Sequence, residues 1–401
     1  MLRFRMCLQK TGNPRFPTER KEGDGVQSVF EEIRQLRGGL PMAIDRGNAN
    51  RYRVLVSEKD GSTTAYYFST PIYNKKSRRL IDLAFRETPQ GLRAVGSNAE
   101  ITVSETVRLE DDNGACTLTG AGMRMAVVDG VHREGQCSVR PTANGVVSRC
   151  GIGNQRSVRL TAEVSVPFMQ VRANDRYFAL MREQFVPFVV FSCIGSVDAG
   201  GNLIAPATLS HRKLDDRRYE VCLTAASPLA QGLMFEVNLY ERKLFQDTTV
   251  ESGNPTVNNS YGGTGYIGYT EQFGQQWLYT RPDTSLMTEL ADRRIYRALL
   301  HIPALNGMPA LMRAHEVSAR FCSFGSNWNN KIAGGSAVPV SGGDGVHWQI
   351  DLQKLLSDPV TGILSGTDGV ILKPVGKNKP FCAIATADSY YAPQILEIRY
   401  R

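Results

Sequence analysis

The feature that most constrains this chain is its hydrophobic rhythm. From Arg51 onward, apolar and polar residues alternate in short runs, and turn-forming pairs close most of them. Arg51–Ser57 reads as one strand and Thr64–Ser69 as its return, joined by Lys59-Asp60-Gly61-Ser62, whose Asp-Gly pair favours a hairpin. The pattern recurs at Ala99–Leu109, Met123–Val128, Ser157–Val166, Arg218–Thr224 and Met234–Tyr240. Turn signals fall between them at Asp112-Asn113-Gly114, Asn144-Gly145 and Ala199-Gly200-Gly201-Asn202. A period of two puts successive side chains on opposite faces of a strand, so one face can be buried. Many short strands with this punctuation build antiparallel sandwiches, not a parallel α/β sheet. The 38 glycines and 19 prolines suit the tight turns such a fold needs.

Residues 1–24 are polar, basic and rich in turn formers (Gly12, Pro14, Pro17, Gly23) and read as an extended arm. Val26, Val29, Phe30, Ile33 and Leu36 then follow helical spacing until Gly38-Gly39 stops the helix. That helix can dock on a neighbouring subunit or fold back on its own domain. The longest apolar stretch, Phe185 to Ile194, is interrupted by Pro187 and reads as a buried strand. Near residue 242 the strand Met234–Tyr240 runs almost straight into Leu244-Phe245-Gln246-Asp247, so two β domains are expected with little hinge between them. The expected organisation is arm and helix over 1–48, a β-sandwich over 49–241 and a second β domain over 242–401.

The C-terminal third opens with Phe245-Gln246-Asp247-Thr248-Thr249-Val250 and passes through Asn254-Pro255 and Asn258-Asn259-Ser260-Tyr261-Gly262-Gly263. The strand-like run Arg294–Pro303 follows, then alternation at Val317–Phe324, Val346–Leu352 and Gly369–Pro374, with one helical turn over Leu352–Leu356. The chain closes on Ala385-Thr386-Ala387-Asp388-Ser389 and a strand from Gln394 to Arg401. In order and spacing these pieces resemble the DNRLRE family, whose members look like jelly-roll carbohydrate-binding modules. The resemblance implies a jelly roll that binds, displays or assembles and does no chemistry. The full expectation is therefore all-β: an antiparallel sandwich followed by a jelly-roll sandwich, with a short N-terminal arm and helix.

Asp247, Asn254, Pro255, Asn258 and Gly262 are expected to shape a fixed loop at the start of that module. Asn side chains mimic turns, proline fixes φ, and glycine tolerates positive φ. Aromatic rings and planar polar groups are what a sugar site needs, and tyrosine and tryptophan are also favoured at protein interfaces. Tyr261, Tyr266, Tyr269 and Trp328 are the candidate ligand or interface aromatics, with Trp328 set among Ser326, Asn327, Asn329 and Asn330.

The formal net charge is +8, but the basic residues are dispersed, with clusters only at Arg3–Lys21 and Lys75–Arg79. That favours a solvated surface and an arm facing an acidic neighbour over a specific nucleic-acid partner. No CxxC spacing or neighbouring histidine supports a metal, and no cofactor motif is present. The eight cysteines read mostly as buried thiols, with Cys137 and Cys150, which bracket a hairpin, the best disulfide candidate. None of the five histidines belongs to a recognisable nucleophile motif, and Asp111-Asp112, Asp215-Asp216 and Asp247 with Glu251 read as turn or surface groups. No catalytic residue is assigned. No apolar run reaches the ~18 residues of a membrane-spanning helix, so membrane insertion is not expected.

The N-terminus has charge but no apolar secretory core, so the chain is expected to be made in the cytoplasm without a signal peptide. These features point to a non-enzymatic structural subunit that self-assembles into a particle, filament or surface layer of phage-virion, tail, spore-surface or appendage type. Its partners would be copies of itself and neighbouring structural proteins. The alternative is an adhesion or glycan-binding protein on a tail fibre or cell surface.

Overall fold

The computed structural model describes residues 29–120, 137–167, 170–306, 312–341, 346–376 and 381–401. The 1–24 arm and the Met123–Val128 run lie outside them. The fold is nearly all β, built from antiparallel sheets with a short helix near the start.

The first sandwich packs two sheets face to face. One has eight strands, from Ala207–Lys213 at one edge to Asp82–Thr88 at the other; the second has seven and is centred on Val186–Val197 and Gly232–Leu239. Alternate residues such as Ile101, Val103, Leu109, Leu118, Leu160, Val221 and Leu223 meet Phe178, Phe191, Phe235 and Val237 in one core. Ala99–Leu109, expected as one strand, is a hairpin of Glu100–Val103 and Val107–Asp111. Its turn, Ser104-Glu105-Thr106, lacks the Gly or Asn that marks most tight turns. Pro187 does sit inside the long strand Val186–Val197, where the register with Tyr177–Glu183 shifts. An irregularity of that kind tolerates a residue with no N–H.

The second sandwich draws strands from both ends of the chain. Thr63–Phe68 pairs with the final strand Ile395–Tyr400, residue 63 against 400 through residue 68 against 395. Residues 43–68, divided by the sequence reading between the arm-and-helix segment (to 48) and the first β domain (from 49), are thus part of the C-terminal sheet. Their alternation specifies a strand but carries no partner information; pairing is decided by which apolar faces meet. Leu55, Ala65 and Tyr67 point into the second core with Leu300, Ile350, Leu372 and Leu396. Val54, Val56, Tyr66 and Phe68 point the other way, and the helix Val29–Leu36 covers them with Ile33 fully buried.

That helix folds back on its own sheet. It ends where expected: Gly38 and Gly39 take φ of 63° and 80°, and their N–H groups donate to Gln35 and Arg34 carbonyls at 2.9 Å. Gln353–Leu356 forms the expected single turn. Val317–Phe324 does not continue as a strand: Met312–Val317 ends there, and a loop lays Phe321 on the outer face of the sheet. A loop with every second residue apolar looks like a strand by period alone.

Candidate functional site at the seam between the sandwiches

The two sandwiches share a wide seam. Val186–Val197 and Gly232–Leu239 send one set of side chains into the first core and the other set outward, and the second sandwich covers the outward set. Val147, Ile194, Val197, Leu203 and Met234 pack against Tyr266, Phe273, Leu305, Ala383 and Ala385. A second patch joins Tyr177, Ala179, Met181 and Val190 to Tyr261.

The outward face of Gly232–Leu239 also carries Glu236 and Asn238, which alternation alone would place in solvent. Both are buried. Glu236 Oε2 accepts hydrogen bonds from the N–H groups of Tyr390 at 2.9 Å and Tyr391 at 3.1 Å, and from Asn238 Nδ2 at 3.0 Å. Asn238 Oδ1 accepts from Thr142 at 2.5 Å. Gly263 runs beside this carboxylate; a β-carbon there would collide with Glu236 Oε1.

Three more charged residues converge on the turn 386–391. Lys243 is 6% exposed, and its Nζ lies 3.2 Å from the Tyr390 ring centroid without a hydrogen-bond partner. Asp247 is buried and accepts from the Ala387 N–H. Its carboxyl shares a hydrogen bond with Asp388, which is half-buried. Tyr390 closes the cluster: its hydroxyl accepts from the Glu241 N–H at 2.8 Å. Glu241 in turn pairs with Arg51 and accepts from Asn144 at 2.9 Å.

Burial governs the electrostatics here. Loss of water raises Glu236 to about 7, partly opposed by Lys243 and its hydrogen bonds. The same desolvation lowers Lys243 to about 8, against the pull of Asp388, Glu236 and Asp247. Asp247 is pushed well above the carboxylate range by burial and by its neighbour Asp388. Asp388 rises to about 6, also through burial, an effect tempered by the part of its surface that reaches solvent. At neutral pH the cluster therefore holds protons that exposed carboxyls would have lost.

A separate pin lies on the same seam. Arg176 donates to Thr249 Oγ1 at 2.7 Å and lies 3.5 Å from Glu251 Oε2, with both ionic side chains almost fully buried. Its guanidinium stacks between Tyr266 at 5.2 Å and Phe273 at 4.8 Å.

The aromatic candidates fare differently. Tyr261 and Tyr266 are each 2% exposed and offer no face to a ligand. Tyr261 donates to the Phe185 carbonyl at 3.0 Å and Tyr266 to that of Ile194, so both bind the first sandwich to the second. Their glycine-rich surroundings suggested an open loop, but small neighbours equally let two sheets approach closely. Tyr269 is exposed and stands apart from them. Trp328 is half-buried, its ring 5.0 Å from Trp277 and 4.4 Å from Lys331 Nζ; together they cap the sheet's outer face.

Among the loop-shaping candidates, Asn258 is the clamp. Its Nδ2 donates to the carbonyls of Ser323 at 2.8 Å and Ser326 at 2.7 Å, and its Oδ1 accepts from the Ser260 N–H at 3.2 Å. Asn254 donates to Glu251 at 3.1 Å, the Pro255 carbonyl accepts from Asn329 at 3.2 Å, and the Gly262 carbonyl accepts from Thr386 at 2.7 Å. Asp247 serves as part of the buried charge cluster.

Sequence reasoning did not single out Glu236 or Lys243, and Asp388 entered only as part of a closing loop. A charged residue in a strand looks solvent-facing until both faces are known to be covered. Compared with known proteins, the chain matches no family model and no curated protein.

Proposed function

We propose that this protein is a non-enzymatic structural subunit that assembles with copies of itself into a particle, filament or surface layer. Its C-terminal sandwich, similar in motif order to DNRLRE modules, would be the displayed part. The observation that carries this reading is the seam. Its large aromatics and buried charges hold one sandwich to the other instead of lining an open cleft, which suits a rigid building block. Both edges of the eight-stranded sheet are charged, with Asp82, Arg86 and Glu87 on one side and Arg212 and Lys213 on the other. Charged edges discourage strand-to-strand growth. Assembly is therefore assigned to other surfaces and to the basic 1–24 arm bridging subunits.

The test is the mass of the purified chain in solution, with and without residues 1–24. The full chain is expected to form regular multimers, and the shortened chain to remain folded but assemble less. A monodisperse monomer at high concentration would overturn the proposal. Glycan-array binding by that monomer, lost in Trp328→Ala with folding intact, would favour the adhesion reading instead.

A further inference from the structure

We propose that Lys243 and Asp388 become joined by an amide bond formed inside the folded protein, between the lysine Nζ and the carboxyl carbon of the aspartate. Three observations converge on it. Lys243 is a buried amine whose Nζ has no hydrogen-bond partner, although an ammonium has three protons to donate. Leaving such a cation buried and unpaired is costly, whereas a neutral amine in the same place is a nucleophile. Asp247 and Asp388 lie side by side, and Asp247, pushed well above the carboxylate range by burial and by Asp388, is the member of the pair that holds the proton. All three side chains meet at one turn: Nζ sits over Tyr390, two residues beyond Asp388, while Asp247 is held by the Ala387 N–H. Glu236 belongs to the same cluster, but its Oε2 is tethered by Asn238 and the N–H groups of Tyr390 and Tyr391, which hold that carboxyl in place.

The chemistry needs no cofactor. Nζ swings off the Tyr390 ring on its four-carbon stem and attacks Asp388 Cγ, forming the C–N bond. The Asp247 proton goes to an Asp388 oxygen as the tetrahedral centre forms. Asp247 then takes a proton from the nitrogen and delivers it to the departing hydroxyl. The C–O bond breaks, one water leaves, and Asp247 remains as a carboxylate. Amine plus carboxyl gives amide plus water, with nothing oxidised or reduced. Burial favours the reactive forms, lowering Lys243 to about 8 and raising Asp388 to about 6. The product ties the approach to the strand Phe245–Glu251 to the approach to the last strand of the same sandwich, Ile395–Tyr400. Such a tie would resist pulling on a subunit embedded in an assembly.

The experiment is intact mass spectrometry of the full chain, reduced and denatured. The expected mass is ~18 Da below that of the linear sequence, the mass of one water. Fragmentation should yield a branched peptide joining Lys243 to Asp388. Lys243→Arg, Asp388→Ala and Asp247→Ala should each restore the linear mass; the last keeps both reacting residues and removes only the proton carrier. An unmodified wild-type mass overturns the proposal, whether or not the variants fold. A water loss mapped to a succinimide, or to Lys243 joined with Asp247 or Glu236, also overturns it.

Discussion

At the scale of single residues, Glu236 shows how context reverses a sequence pattern. The strand Gly232–Leu239 alternates as a half-exposed strand would, yet all of it is buried. The carboxyl survives there because three donors meet one of its oxygens and because it is held partly protonated. Its folded value of about 7 lies above the ordinary 4.5, so the stability it contributes is complete below the ordinary value and is lost as pH rises through about 7. Glu236→Gln retains an acceptor for the two backbone N–H groups and cannot ionise. Thermal melts should show the variant gaining on wild type across that window, and parallel curves would contradict the account. Gly263→Ala should cost about 1–3 kcal/mol in denaturant unfolding, because the carboxylate its β-carbon meets is tethered and cannot retreat. A neutral result would mean the seam opens more readily than its packing suggests.

At the scale of elements, the sequence made the fold class legible and left the pairing obscure. Thr63–Phe68 is recognisable as a strand and pairs with Arg53–Ser57 in the expected hairpin, but its other partner lies more than three hundred residues away in the chain, and nothing in the run itself names Ile395–Tyr400. The bracketing of a hairpin by Cys137 and Cys150 was informative, because a hairpin makes its two ends neighbours. The two cysteines are cross-strand partners and form a disulfide, with Cα atoms 4.0 Å apart. It closes a sequence separation of 13 residues and secures the edge strand Cys137–Pro141. In the chain-entropy view a loop of that size is worth about 3 kcal/mol. Cys137→Ser, or reduction of the wild type, should lower the denaturation midpoint accordingly. An unchanged midpoint on reduction would show that the edge strand is held by its hydrogen bonds alone. The candidate site was the least legible part: Lys243 and Asp388 sit in segments that read as ordinary turns, and Asp247, expected to shape a loop, is buried in the strand Phe245–Glu251, where the 386–391 turn covers it.

At the scale of the whole molecule, the seam decides what kind of object the chain is. Apolar patches, the Arg176 pin and the Glu236 cluster all cross it, so the two sandwiches should unfold together rather than in sequence. Arg176→Ala would leave Glu251 buried without its cation and should cost on the order of 3–5 kcal/mol, read by calorimetry as a lower transition temperature. A transition left in place would show that the pair is not part of what holds the sandwiches together. A rigid two-sandwich block with charged sheet edges fits an assembly whose contacts lie outside the strands. The most direct test is the solution mass of the full-length chain, by mass photometry followed by electron microscopy. The account predicts regular multimers, particles or filaments that weaken when residues 1–24 are removed; a monodisperse monomer that persists at high concentration would contradict it.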